Sequence, residues 1–403
     1  MPSKPLWKDE KQLLNIVADC LKRIVCKGYR GFDPADLMHS KAGFVRRRGS
    51  WALRFLTVVN FYSPINLRPF LKIEEAENSS AMAVLGSVFI KMYTLTGNEE
   101  WLNKVSFIVG WLESRAKVVD GTMGWSRTID YQAGRCCTHG GTSTLTFINA
   151  KAAELFLDHY ELTGDRHSLE LVAAVCRHLT RYTKRISRGS GICLSYAATH
   201  EIEIYNASIL AGQVLNRYSV IREDRECMDL SMRILEYALE RQHRDGSWYY
   251  SIKKDGREKK QIDFHQVYML DGIKKYKRVE EGRLRKRAVE AFSIGTQFYL
   301  EKLFDRRMYP YWRYPLKFPI DIHNVSHGVY FLSKYLPESP EYKEKLLRLV
   351  EICTTEFYDR KRKFFYYQKY PLFTVRHDFF RWNTTWALYG LVEYLHRFEI
   401  VNA

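Results

Sequence analysis

Two tetrapeptides carry residue types that handle protons. Ile262–Asp263–Phe264–His265 and Ile320–Asp321–Ile322–His323 each place an acid two residues before an imidazole, and the two aspartates stand 58 positions apart. In an extended segment residues i and i+2 point to the same side, so each acid and imidazole can face one space. A carboxylate beside an imidazole is a proton-handling pair. The competing reading is structural: each aspartate is the N-cap of the helix that follows it.

The echo extends along the chain. Glu203 lies 60 residues before Asp263, and Asp378 lies 57 after Asp321. Fixed-period self-similarity names an architecture. The recurring unit is an apolar helix, a short turn, an amphipathic helix, and a Gly/Asp turn running into aromatics, such as Asp245–Gly246–Ser247–Trp248–Tyr249–Tyr250. The first helices are predicted to start near residues 79, 142, 205, 265, 323 and 382, with Asn78 capping the first. The second helices are expected near 100–117, 166–185, 224–242, 282–302 and 341–358. Leu95–Thr96–Gly97–Asn98 and Leu162–Thr163–Gly164–Asp165 join the pairs, with glycine where a helix turns left-handed past its end. Residues 9–27 form one more amphipathic helix, able to close a ring, and 28–78 read as irregular because of Pro34 and Pro64. The predicted fold is all-α, an (α/α)6 toroid of six helical hairpins with short β-hairpins or turns at one end. Residues 1–403 then form a single domain. An open superhelix of the same hairpins is the alternative.

In a toroid the turns before the first helices converge on one end. Asp263 and Asp321 become acid/base candidates there, with His265 and His323 as their partners and Arg381 as a clamp for a carboxylate or phosphate. Trp125, Trp248 and Trp382 form an expected stacking platform, and Tyr131, His139, Asn206 and Tyr250 complete the substrate-binding set. His327, one helical turn past His323, reads as structural. Two carboxylates flanking a glycosidic bond suit hydrolysis. An Asp–His pair with an arginine suits proton abstraction beside a uronate carboxylate, giving elimination or epimerisation.

Lysine and arginine outnumber acids to give a net charge of +17, which favours anionic partners. Acidic glycans, nucleic acid and a membrane surface are the candidates; no nucleic-acid-binding motif accompanies the charge, so nucleic acid is the weakest of the three and an anionic carbohydrate is the expected partner. The basic surface also suits peripheral docking on membrane-bound glycan-synthesis machinery. Eight cysteines are scattered, Met1–Glu10 is polar, and no apolar run reaches the length of a membrane span, which together point to a reduced, cytoplasmic compartment. Cys136–Cys137–Thr138–His139 fits standard metal loops poorly, so neither metal nor cofactor is expected, although a zinc enzyme resembling lanthipeptide cyclases was the reading to weigh against.

Over nearly its whole length the chain resembles a family of the six-hairpin glycosidase-like group, found beside genes for surface-polysaccharide synthesis and in part labelled delta-aminolevulinic acid dehydratase. The matching residues are Gly31–Phe32–Asp33–Pro34, Pro64–Ile65–Asn66–Leu67–Arg68, Tyr205–Asn206–Ala207–Ser208, Asp245 to Tyr250, Ile262 to His265, Pro319 to His323 and Arg381–Trp382…Trp386. The chain departs from that pattern at Gln266–Val267, where Thr–Gly is usual. The resemblance implies the toroid and a carbohydrate-active enzyme of surface-glycan metabolism. A non-catalytic glycan-binding or scaffold protein of a polysaccharide assembly complex is the alternative. Nothing in the sequence resembles a Schiff-base lysine in a barrel of strands, so the dehydratase label finds no support.

Overall fold

A computed structural model describes residues 10–43, 50–127, 131–133, 136–138, 143–253, 255–279 and 282–400. The described helices are α1 (Glu10–Cys26), α2 (Ser50–Tyr62), α3 (Ser79–Thr96), α4 (Glu99–Ser114), α5 (Thr146–Thr163), α6 (Arg166–Arg181) and α7 (Tyr205–Arg222). They continue with α8 (Arg225–Glu240), α9 (His265–Lys274), α10 (Arg283–Lys302), α11 (Ile322–Tyr335), α12 (Pro340–Glu351) and α13 (Thr385–Ile400).

Local chemistry sets the hairpins. Asn78 caps α3 by accepting from the Ala81 amide at 3.2 Å. Gly97 and Gly164 end α3 and α5 at φ 62° and 74°, a conformation glycine adopts without a Cβ penalty. Asp165 and Asp224 then cap the outer helices α6 and α8. α3, α5, α7, α9, α11 and α13 are buried on nearly every side, whereas α6, α8 and α12 bury one face only, as inner and outer layers require. Each inner helix packs against the next, and α13 returns to α3, so the inner ring closes. α1 packs on α13 and supplies the sixth outer helix. The closed (α/α)6 toroid stands, and the open superhelix is excluded.

α2 corrects the expectation of an irregular stretch over 28–78. Pro34 and Pro64 flank Ser50–Tyr62 rather than interrupt it, and the thirteen residues between contain neither proline nor glycine. The segment around it is pinned by Arg68, which is fully buried. Its Nε donates to Asp36 Oδ2 at 2.7 Å, and its Nη2 donates to the Asp33 carbonyl at 3.1 Å.

Short strands gather where the inner helices begin. Four antiparallel pairs stand by themselves: β1 (Lys117–Val119) with β2 (Thr122–Gly124), β3 (Tyr131–Ala133) with β4 (Cys136–Thr138), β5 (Arg185–Arg188) with β6 (Gly191–Leu194), and β11 (Tyr358–Asp359) with β12 (Phe364–Phe365). β7 (Glu203–Ile204) pairs antiparallel with β8 (Ser251–Ile252), which pairs with β9 (Glu258–Lys259). β10 (Ile320–Asp321) pairs with β13 (Gln368–Lys369), which pairs with β14 (Thr374–Val375). The register sets Asp321 opposite Gln368. A π-helical turn, Phe380–Thr384, leads into α13 and carries Arg381 and Trp382.

Candidate functional site

The strand-bearing end of the ring opens into a cleft of about 340 Å³. Phe61, Phe147, Tyr196, Tyr250, Phe264, Tyr268, Trp382 and Trp386 supply its aromatic wall. Its polar lining is Asp33, Arg127, Asn206, Lys259, Gln261, His265, Arg313, His323 and Arg381. Asp33 is the one carboxylate among these, and Arg381 grips both of its oxygens, at 2.5 and 3.1 Å. Burial alone would raise the Asp33 carboxyl; the Arg381 guanidinium overrides that and holds it below its ordinary value. Cations therefore outnumber anions in the wall.

The two tetrapeptides, alike in sequence, build different devices. In the first, the His265 Nδ1–H donates to Asp263 Oδ1 at 2.5 Å, while Gln261 Nε2 donates to Asp263 Oδ2 at 2.8 Å. Burial pushes the Asp263 carboxyl up, but the neighbouring imidazole and these bonds bring it below its usual value. With Nδ1–H engaged, Nε2 of His265 is the nitrogen left for chemistry, and the imidazole lines the cleft against Tyr250. An imidazole oriented in this way by a carboxylate has the geometry general-base chemistry needs.

In the second, Asp321 does not meet its imidazole. It caps α11 through the His323 amide at 2.9 Å and accepts from Gln368 Nε2 at 2.7 Å and from Trp382 Nε1 at 3.1 Å. The His323 Nδ1–H instead donates to the Trp382 carbonyl at 3.0 Å. His327 stacks on His323, ring centroids 4.6 Å apart, and donates to the His323 carbonyl. Burial holds both imidazoles neutral, His327 down to about 3. The structural reading of His327 fits, and the capping reading holds for Asp321. Burial also lifts the Asp321 carboxyl to about 6 despite its three donors. A folded-state value above the unfolded one favours the protonated form. Asp321 therefore contributes stability below about pH 4 and loses it as the pH rises through about 6. Difference infrared spectroscopy is expected to show one carboxyl titrating near pH 6, absent in Asp321→Asn.

Several expected site residues take other places. Trp125 and Trp248 are 1% exposed and face the core, so neither indole can stack on a sugar. They are rhyming structural posts. The Trp125 Nε1–H donates to the Leu112 carbonyl and the Trp248 Nε1–H to the Ala238 carbonyl, satisfying orphan groups near the ends of α4 and α8. Asn149 and Gln266 side chains hold their backbone amides, which gives the family departure at Gln266 a local role. Trp248→Phe is expected to cost about 1–3 kcal/mol of stability through the lost buried bond, with KM unchanged; urea unfolding and kinetics check both. Asp263 and Asp321 are buried and are not among the residues lining the cleft, whereas His265 and His323 are. His139 lies outside the described residues, and Tyr131 falls in a short strand, Tyr131–Ala133, paired with Cys136–Thr138. Asn206, Tyr250, His265, His323, Arg381 and Trp382 do converge on the cleft. Asn206 Oδ1 is buried with no hydrogen-bond partner among the described residues.

Sequence reasoning missed Asp33, Arg127, Lys259, Gln261 and Arg313. Asp33 sits in the Gly31–Pro34 stretch and Lys259–Gln261 directly precede Asp263, signals that the period alone does not weigh.

Beneath the floor, the ring axis is filled by a buried ion network. Asp271 accepts from the Tyr330 and Tyr335 hydroxyls, both at 2.5 Å, and from Lys275 at 2.6 Å. Lys275 also pairs with Glu154, which pairs with Lys151, whose ammonium lies 5.8 Å from the Trp386 ring of the cleft. Lys91 of α3 pairs with Glu393 of α13 at 2.8 Å. The network makes the toroid a cup.

No protein-family model and no curated protein matches the chain. Solved structures do. An unsaturated glucuronyl hydrolase specific for heparin matches with a TM-score of 0.61 at 11% identity, over 98% of both chains. A sugar epimerase from a ruminal bacterium matches with 0.63 at 9% identity, over 81% of this chain and 90% of its own. Cellobiose 2-epimerase from Bacillus thermoamylovorans matches with 0.61 at 7% identity, again over 81% and 90%. At such identities the likeness shows the fold alone, and the (α/α)6 toroid is the architecture this chain shares with them.

Proposed function

We propose that this chain is a single-domain carbohydrate-active enzyme that moves a proton to and from carbon on an acidic sugar, giving elimination or epimerisation. The observation that carries the reading is the His265–Asp263 pair beside a cationic, aromatic cleft in which, among the described residues, the one lining carboxylate, Asp33, is held by Arg381. A base of this kind takes a proton alpha to a carboxylate, and nearby cations stabilise the charge that develops. Hydrolysis by two carboxylates finds less support, because Asp263 and Asp321 lie behind the wall. The solved structures that share the fold include a glucuronyl hydrolase and sugar epimerases, which agrees with sugar chemistry in this cup. The resemblance to proteins encoded beside polysaccharide-synthesis genes supports a surface-glycan fragment as substrate and a cytoplasmic place of action. Among the described residues no helix is long and apolar enough to cross a membrane.

The test is a panel of neutral and uronate-containing oligosaccharides, read for reducing ends, for the ultraviolet absorbance of unsaturated uronate, and for deuterium uptake from heavy water. Unsaturation or deuterium on carbon supports the proposal. New reducing ends alone make the protein a hydrolase, and a thermal shift without turnover makes it a glycan-binding protein. Arg313→Ala is expected to raise KM for a uronate substrate about 5- to 30-fold, the value of a lost charge-assisted contact, with kcat and neutral analogues little changed.

A further inference from the structure

One rim of the cleft is apolar and outward-facing. Leu372, at the tip between β13 and β14, is 95% exposed, and Phe373 beside it stacks on Tyr370. The loop 311–318 before β10 presents Leu316 at 60% and also Phe318. At the end of α2 and just past it the chain presents Tyr62 and Ile65, and Phe55 and Val58 continue the exposed stripe back along the helix at its own spacing. These three pieces form one surface. The His377 Nε2–H donates to the Ser63 carbonyl at 2.8 Å, joining the end of α2 to the segment after β14. Tyr62 is close enough to Arg313 for the guanidinium to pull down its hydroxyl, although burial raises it overall. Phe61 and Arg313, from two of the pieces, also line the cleft, so the surface is continuous with its mouth.

The charge on these pieces has one sign. Residues 55–73, 311–318 and 368–376 contain no aspartate or glutamate, yet they carry Arg68, Lys72, Arg313, Lys317, Lys369 and Arg376. Arg68 is spent inside on Asp36, and Lys317 and Lys369 are paired with Asp305 and Glu356 outside these segments. Among the described residues Lys72, Arg313 and Arg376 have no carboxylate partner, and Arg313 and Arg376 lie over Trp312 and Tyr366. A second copy of this chain meeting the same face would set like charges against each other. Protruding apolar side chains beside Lys72, Arg313 and Arg376 instead match an anionic bilayer, where side chains enter the interface while lysine and arginine meet headgroups.

We propose that the rim formed by Tyr62, Ile65, Leu316, Phe318, Leu372 and Phe373 docks this protein on an anionic membrane surface, with the cleft opening beside the bilayer. If the cleft takes a sugar, as read above, that sugar is then one presented at the membrane.

The test is flotation of the full chain with vesicles of phosphatidylglycerol and phosphatidylcholine at low and high salt, against phosphatidylcholine alone. Binding is expected to the anionic vesicles, weakened about tenfold or more by high salt and by Leu372→Glu or Leu316→Glu, with unfolding temperature unchanged. His265→Ala is expected to float as the unaltered chain does, so the result stands apart from any failure of the catalytic reading. Absence of flotation at low salt, equal binding to neutral vesicles, or binding indifferent to both leucine substitutions overturns the proposal. Sedimentation that shows a dimer lost in Leu372→Glu assigns the face to a second copy and overturns it as well.

Discussion

His265→Ala is expected to lower kcat by about 10²- to 10⁴-fold on the substrate found in the oligosaccharide panel, the range a positioned general base supplies. The fold is expected to persist, because the imidazole borders open cleft and the His265 backbone amide still donates to Asp263 Oδ1 at the start of α9. Asp263→Asn tests the same device from behind. Asparagine keeps the size but offers an uncharged partner to the imidazole, so its Nδ1–H loses a charge-assisted bond and the tautomer loses its anchor. A smaller fall, roughly 10²-fold, is expected, together with a shifted pH profile of kcat/KM that His265→Ala cannot report. Circular dichroism and unfolding temperature separate these losses from misfolding. Full activity in His265→Ala would remove the dyad from the mechanism, and Asp321→Asn alone losing all turnover would transfer the acid/base role to that buried carboxyl.

The contrast between the two tetrapeptides explains what the sequence made legible. The toroid was readable because each hairpin repeats local signals that act over one turn: Asn78 at an N-cap, Gly97 and Gly164 past helix ends, and alternation between all-round apolar and one-sided helices. Six repeats of such signals and the amphipathic 10–26 helix leave little but ring closure. The convergence of Asn206, Tyr250, His265, His323, Arg381 and Trp382 on one candidate cleft was readable for the same reason, since inner-helix starts converge. Individual roles were not. Whether Asp321 meets His323 depends on Gln368 across a strand pair and on Trp382 from the following repeat, partners 47 and 61 residues away. Trp125 and Trp248 sit beside tight turns, where exposed aromatics are common, yet their indoles serve the carbonyls of the preceding helices. Arg381 was expected to clamp a ligand's carboxylate or phosphate; in the structure it grips Asp33, 348 residues earlier, a partner that only ring closure in three dimensions supplies.

The same logic gives the largest expected effect on stability, at Asp271. This carboxylate is 3% exposed and accepts from two tyrosine hydroxyls and Lys275, with Lys334 at 3.7 Å. Removing one member of a buried ion network leaves the opposite charges uncompensated, which costs about 3–5 kcal/mol. Asp271→Ala is therefore expected to lose that much in urea unfolding, while Asp271→Asn with Lys275→Met removes both charges and recovers part of it. The pH dependence has a definite sign. Burial alone would raise the Asp271 carboxyl, but Lys275 and Lys334 bring it down to about 2. A folded-state value below the unfolded one contributes stability that is full above about pH 4 and lost as the pH falls through about 2. The unaltered chain should lose stability across that window more steeply than Asp271→Asn/Lys275→Met. Parallel slopes would mean that the axial network holds the inner helices by packing alone. Because Lys151 of this network lies under Trp386 at the cleft floor, the substitution at Asp271 is also expected to loosen the site, seen as a higher KM before any fall in folded fraction.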